Sequence, residues 1–212
     1  MLENNSNKAI IFGYSGHSFV IIDTLLDHEI SITGYYEQQE QKYNPYHIKF
    51  LGVENDKNQS EINKNTIVFP GIGSNQIRKK LVEQFESNNL NQIVLKHKKS
   101  IVSKTCQIQH STFIAAGAVI NSFARIGKGC IINTSSVIEH ECEIKDFTHI
   151  APGAILAGNV RVGYESFIGA NSVIKQGIII GNKVTIGAGS VVLQNVPDNE
   201  TWVGNPAKKM KK

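Results

Sequence analysis

The chain has 212 residues, 41% of them hydrophobic and 19% charged, which is enough to bury a sizeable core and too apolar for a disordered segment. Its net charge of +4 resides in the last five residues, which hold four lysines. The remainder carries 18 basic and 18 acidic side chains, so no broad nucleic-acid-binding face is expected. No apolar run reaches the roughly 18 to 20 residues of a membrane span. The first residues lack the basic and apolar regions of a secretory signal, and the three cysteines show no metal-ligand spacing; a reducing, cytoplasmic setting is expected.

Lys8–Phe12 reads as a strand, Gly13-Tyr14-Ser15-Gly16-His17 as a tight loop, and the apolar positions Phe19–Ile22 and Leu25–Leu26 as one helix. A second strand is predicted over Ile30–Tyr36. The polar stretch Glu37–Lys64, rich in Gln and Asn, reads as an irregular excursion. Thr66–Pro70 predicts a third strand and Gly71-Ile72-Gly73-Ser74-Asn75 a second glycine-rich loop. A basic amphipathic helix over Ile77–Phe85 and a fourth strand at Ile93–Leu95 follow. Strand, glycine-rich loop and helix in this order suit a nucleotide, whose phosphates meet backbone N–H groups at a helix N-terminus. The loops lack the G-x-G-x-x-G spacing of a dinucleotide site. This half predicts an α/β, Rossmann-like domain over residues 1–98.

From Val102 to Val192 an aliphatic residue recurs at every sixth position, sixteen times without a slip, passing through Ile108, Ile114, Ile120 and so on to Ile186. The position two before each is nearly always small, and it includes Cys106, Cys130 and Cys142. Glycine often follows the aliphatic, as at Gly127, Gly163, Gly169, Gly181 and Gly187, where it is expected to serve a turn of unusual φ/ψ. A period of six excludes helices and fits a β-solenoid of short strands. Three hexapeptides make an 18-residue coil, and about five coils stack to roughly 25 Å. The aliphatic and the small residue point inward, so the cysteines are expected to be packing thiols. Residues 99–212 therefore read as an all-β parallel β-helix, followed at its C-terminal end by Trp202-Val203-Gly204-Asn205-Pro206-Ala207-Lys208, an ending that resembles the terminal cap of hexapeptide-repeat acyltransferases.

Residues that break a repetitive surface mark its chemistry. His140 stands two after the inward Ile138, beside Glu141, and His149 stands one before the inward Ile150. A neutral imidazole can take a proton from an amine or hydroxyl, and a carboxylate can orient it. Spacing alone leaves Glu139 and Glu141 both open as that carboxylate. His140 and His149 are half a coil apart, on different sides of the prism, which predicts a shared site only with a second subunit.

The loops Gly13–His17 and Gly71–Arg78, the run Asn133–Cys142 and the hexapeptide repeat together resemble the NeuD/PglD family of bacterial sugar acetyltransferases. The resemblance implies a left-handed β-helix and a homotrimer with active sites between protomers. It makes His140 the general base, with Glu141 orienting it. His149 and the backbone at Ala170 and Ala188 would contact acetyl-coenzyme A as co-substrate. Ser15, Gly16, His17 and Gly73 would contact a nucleotide-sugar. Where relatives end the second strand in two aspartates, this chain has Tyr35-Tyr36-Glu37; Tyr36 is then expected to stack on or bond to a base, and Glu37 to replace one acid.

The expected activity is N-acetylation of a nucleotide-linked amino sugar, a UDP- or dTDP-4-amino-deoxy sugar, in surface-glycan synthesis, with no metal and no nucleic-acid partner. The alternatives are O-acetylation of sialic acid or a related free sugar, and a non-catalytic sugar-binding solenoid. A metal site of the carbonic-anhydrase type would need a third histidine. His110, 30 residues before His140, does not complete a triad.

Overall fold

The computed structural model describes residues 7–53, 59 and 61–210; residues 54–58 and 60 of the polar excursion and the last two lysines lie outside them. The chain divides into two compact units, Met1–Leu95 and Lys96–Lys212.

The first unit is built on β1 (Lys8–Phe12), in which Ala9–Phe12 are all buried. A strand apolar on both faces belongs in the middle of a parallel sheet. It pairs with β2 (Ser31–Tyr36) on one side and β4 (Ile67–Pro70) on the other, and β3 (Phe50–Gly52) completes the order β3-β2-β1-β4 beyond β2. Helix α1 (Gly16–Asp27) connects β1 to β2, and α2 (Asn75–Ser87) follows β4. Leu81 and Phe85 of α2 pack with Ile10, Phe12, Tyr36, Ile62, Val68 and Leu90, and the Phe85 ring meets Phe12 edge-on at 4.6 Å.

Two expectations change here. The polar excursion supplies β3, whose Phe50 and Gly52 register against Tyr35 and Tyr36 and extend the sheet. The apolar run Ile93–Leu95 does not become a fourth strand beside β4. Only an isolated bridge from Asn91 to Ile67 forms on that edge, and the run's last residue begins the strand Leu95–Lys96, which belongs to a sheet of the solenoid.

From Ile101–Val102 to Val191–Val192 a two-residue strand occurs every six residues, and the strands stack into three parallel sheets. The register advances by one coil of 18 residues, as in Ile108↔Ile126↔Ile144↔Val162↔Ile180. From Ile114 onward every periodic aliphatic is at most 2% exposed. The small residues two positions earlier share that interior and need partners there. Thr112, Thr148 and Ser166 donate to the carbonyls of Gly127, Gly163 and Gly181 at 2.8–3.0 Å, and the Cys130 and Cys142 thiols lie 3.2 Å from those of Lys145 and Ala157. After the last coil, Thr201–Val203 adds in parallel to Thr185–Ile186, and Lys208–Lys209 then returns antiparallel to it.

The glycines after the aliphatics do not serve unusual dihedrals. Left-handed φ falls three positions after the aliphatic, at Ser111, Gly117, Phe123, Gly129, Ser135, Glu141 and on to Gly189, only some of which are glycine. The glycines that follow the aliphatic are needed for room. A Cβ on Gly169 would lie 2.5 Å from the Ile186 carbonyl oxygen and 2.6 Å from the Ala188 nitrogen, on the next coil. Gly177 has open space around it and φ +72°. Gly169→Ala is therefore expected to destabilise by roughly 3 kcal/mol through overpacking against backbone, and Gly177→Ala by about 1 kcal/mol through its dihedral alone. Urea midpoints of the two variants check the order; equal losses would contradict the assignment.

Candidate functional site

In the N-terminal unit the loops after β1, β2 and β4 meet at the C-terminal ends of parallel strands, where β1 has neighbours reached in opposite directions. Open α/β sheets bind ligands at such a switch point. A cleft of about 350 Å³ opens there, lined by Ser15, Glu37, Gln38, Ile72, Ile77, Lys80 and Leu81. Its floor is apolar and its rim carries one carboxylate and one ammonium. Glu37 is held by two backbone donors, the N–H of Tyr14 at 2.8 Å and that of Gln38 at 2.9 Å. The Ser15 N–H donates to Ser18 Oγ at 2.7 Å, which fixes the first turn of α1.

The structure brings Ser15 and Glu37 together in this cleft. Gly16, the first residue of α1, and Gly73, on its loop, are exposed, and neither has anything within 4 Å of a would-be Cβ. The base-stacking expected of Tyr36 is not available to it. Its ring stacks on Phe12 at 4.8 Å and is only 6% exposed, because a side chain at that register of β2 points into the core. His17 is largely buried, and its pKa falls to about 4 through that burial, with the nearby Arg78 charge adding to the effect. Arg78 itself is 1% exposed. It donates to the carbonyls of Ile72 and Gly73 at 3.2 and 3.0 Å and to Asn75 Oδ1 at 2.7 Å, which pins the second glycine-rich loop. Reading α2 as a basic amphipathic helix did not single out this guanidinium as buried.

On the solenoid, His140 occupies the corner after the strand Val137–Ile138 and is exposed. Its Nδ1 lies 3.1 Å from Glu141 Oε2, whereas the Glu139 carboxylate accepts the His140 backbone N–H at 3.3 Å. Of the two acids the spacing left open, Glu141 is the one on the ring. The left-handed backbone at Glu141, φ +60°, belongs to the regular corner. The contact with Nδ1 favours the tautomer that leaves Nε2 as a proton acceptor. Cys142, next in sequence, is buried, and burial pushes its thiol up to about 11. Ser122 occupies the equivalent corner one coil earlier; its hydroxyl lies 3.5 Å from that of Ser103.

His149 begins the strand His149–Ile150 on another side of the prism. Its Nε2 pairs with the Asn133 amide at 3.1 Å, and its ring meets Phe167 edge-on at 5.1 Å. Asn133 was singled out only as part of a run. It stands directly opposite the residue after Ile150 in the 18-residue register, and that makes the contact legible in retrospect. Ala170 and Ala188 sit at successive levels of one corner, joined by the bond from the Gly189 N–H to the Ala170 carbonyl at 2.8 Å. Within this chain His140 and His149 lie on different sides of the prism. Among the described residues no cluster of three or more His, Cys, Asp or Glu side chains could hold a metal ion, and no helix is long and apolar enough to cross a membrane.

Residues 8–85 match the family model of the PglD N-terminal domain, and residues 159–194 match that of the hexapeptide repeat of succinyl-transferase. The chain is similar to the acetyltransferase domain of PglB from Neisseria gonorrhoeae, solved in complex with acetyl coenzyme A: 28% identity, 97% of this chain and 100% of that one covered, TM-score 0.92. It is similar to perosamine N-acetyltransferase from Caulobacter crescentus, whose histidine-to-asparagine mutant was solved with CoA and GDP-perosamine: 26% identity, 97% of each chain, TM-score 0.91. WeeI from Acinetobacter baumannii shares the fold at 22% identity, over 95% of this chain and 99% of that one, with TM-score 0.85.

The depressed pKa of His17 carries a sign that can be measured. The folded state holds the ring neutral down to about pH 4, while the unfolded chain takes up a proton near its ordinary value of 6.5. Stability is therefore full above pH 6.5 and declines as pH falls toward 4, by about 2 kcal/mol between pH 7 and pH 5. His17→Gln is expected to remove that part of the pH dependence, read as the difference between denaturant midpoints of the two proteins at the two pH values.

Proposed function

We propose that this chain is a hexapeptide-repeat sugar acetyltransferase of the PglD type and that it moves the acetyl group of acetyl-coenzyme A onto the amine of a nucleotide-linked amino sugar. The observation that carries this reading is the outward His140–Glu141 pair, 3.1 Å apart on an otherwise regular solenoid corner. The N-terminal cleft takes the nucleotide. Its apolar floor suits a base, and Glu37 and Lys80 are available to the polar groups of the nucleoside and its phosphates.

The reaction is a direct transfer. The sugar nitrogen forms a bond to the thioester carbonyl carbon as His140 Nε2 takes its proton. Glu141 holds Nδ1 and stabilises the imidazolium, and a backbone N–H in a coil turn donates to the developing oxyanion. The carbon–sulfur bond then breaks, and the proton passes to the departing thiolate. A covalent enzyme intermediate is disfavoured because Cys142, the thiol next in sequence to the pair, is buried and protonated. His149, with Ala170 and Ala188, lines the coenzyme A groove. That groove is completed by a second protomer of a trimer, which the exposed Phe123, Ile155, Phe167 and Val173 on the solenoid suit. Much of the acceleration comes from holding the two substrates in one complex.

His140→Ala is expected to lower kcat by roughly 10²- to 10⁴-fold with an unchanged denaturation midpoint; full activity in the variant would take the imidazole out of the chemistry. The substrate class is read from free-thiol release with acetyl-coenzyme A and UDP-, dTDP- or GDP-linked 4-amino sugars beside free sialic acid. Turnover confined to sialic acid would replace N-acetylation by O-acetylation, and no thiol release with any acceptor would favour a binding protein. Light scattering on the purified protein is expected to return the mass of three chains.

A further inference from the structure

We infer that Gly158 is a positioning residue for His140: the imidazole lies on the bare backbone of Gly158, and the absence of a side chain there lets the ring reach Glu141. The inference rests on the reading of His140 as the base. The 18-residue register puts Lys104, Ser122, His140, Gly158 and Gln176 at one corner on successive coils, and the bond from the Asn159 N–H to the His140 carbonyl at 2.9 Å fixes the step between His140 and Gly158. The other four are exposed, whereas Gly158 is buried.

What covers it is the ring. A Cβ built on Gly158 would lie 2.6 Å from both Cε1 and Nε2 of His140 and 3.3 Å from Nδ1, and no other group comes as close. The backbone of Gly158 is outside the left-handed region, so any residue fits its dihedrals. Glycine is therefore required here for space alone, and the space belongs to the imidazole. Most other tight glycines of the solenoid, such as Gly163 and Gly169, would press a Cβ against backbone. At Gly158 the obstructed atoms are the far end of a half-exposed side chain that can rotate away. A methyl group should leave the coil intact and lift the ring edge that carries Nε2, drawing Nδ1 off the Glu141 carboxylate. The ring is thus held from the side by a carboxylate and from beneath by a contact surface one coil away.

The test is Gly158→Ala, alone and combined with His140→Ala. Misplacing a catalytic group by about 1 Å costs on the order of 10² in rate. The single variant is expected to lose about 10²-fold in kcat, assayed with acetyl-coenzyme A and a UDP-linked 4-amino sugar or whichever of the nucleotide-linked amino sugars named above turns over. Both KM values and the denaturation midpoint should stay near wild type. The double variant should be no slower than His140→Ala, and a crystal structure of Gly158→Ala should show the ring displaced from Glu141. A Gly158→Ala enzyme with near-normal kcat, a ring in its original place, or a variant that does not fold would each overturn the inference. If His140→Ala proves fully active, the base assignment fails. The ring position in the Gly158→Ala crystal then still decides whether Gly158 places the imidazole.

Discussion

In the solenoid the N–H of a strand residue donates to the carbonyl 17 residues further on, from Ile101 to Ala118, Gln107 to Ala124 and so through the coils. That ladder leaves no freedom in the length of a coil. Its inward positions then carry a second demand, since an aliphatic and a small residue from each strand must share one crowded axis. Thr112, Thr148, Ser166, Cys130 and Cys142 are accommodated there because a carbonyl 15 residues further on lies within reach of each. Everything on the outside inherits the same spacing, so a side chain at a corner meets the residues one coil away in a fixed relation. The contact of His140 with Gly158 follows from this constraint, whereas that with Glu141 is made between sequence neighbours.

Much of this was legible in the residues. The sixfold aliphatic period yields the prism, the inward cysteines and the outward histidines without further information. The strand–loop–helix pattern yields the first sheet and both glycine-rich loops. What was not legible depends on three-dimensional neighbours. Glycine after the aliphatic looked like a turn residue, because sequence does not distinguish a need for dihedral freedom from a need for room. The true left-handed positions include Phe123, Glu141, Phe147 and Lys183, residue types that a coil ladder forces into that region despite a local cost. β3 was hidden because an edge strand of three half-buried residues carries no periodic signal.

The candidate site residues divide the same way. His140 and Glu141 stood out as interruptions of a repeat. The stacking on a base expected of Tyr36 does not hold, since its ring is already stacked on Phe12, a neighbour that the sequence of β2 does not reveal. Arg78 was invisible as a structural group because buried guanidinium is rare. Here two loop carbonyls and an amide oxygen satisfy it, and its charge is the minor reason, after burial, that His17 remains neutral.

The antiparallel return at Lys208–Lys209 has a meaning beyond capping. A prism of uniform cross-section ending in three open parallel edges is a template on which another copy could grow, end to end, in the manner of a fibril. On one of the three sheets, reversal of chain direction after Trp202 replaces the repeating register with one that a further parallel coil cannot match. The exposed Lys208 adds a positive charge at the same edge, while Lys209 is paired with Glu200. One short hairpin thus helps to keep a periodic molecule finite.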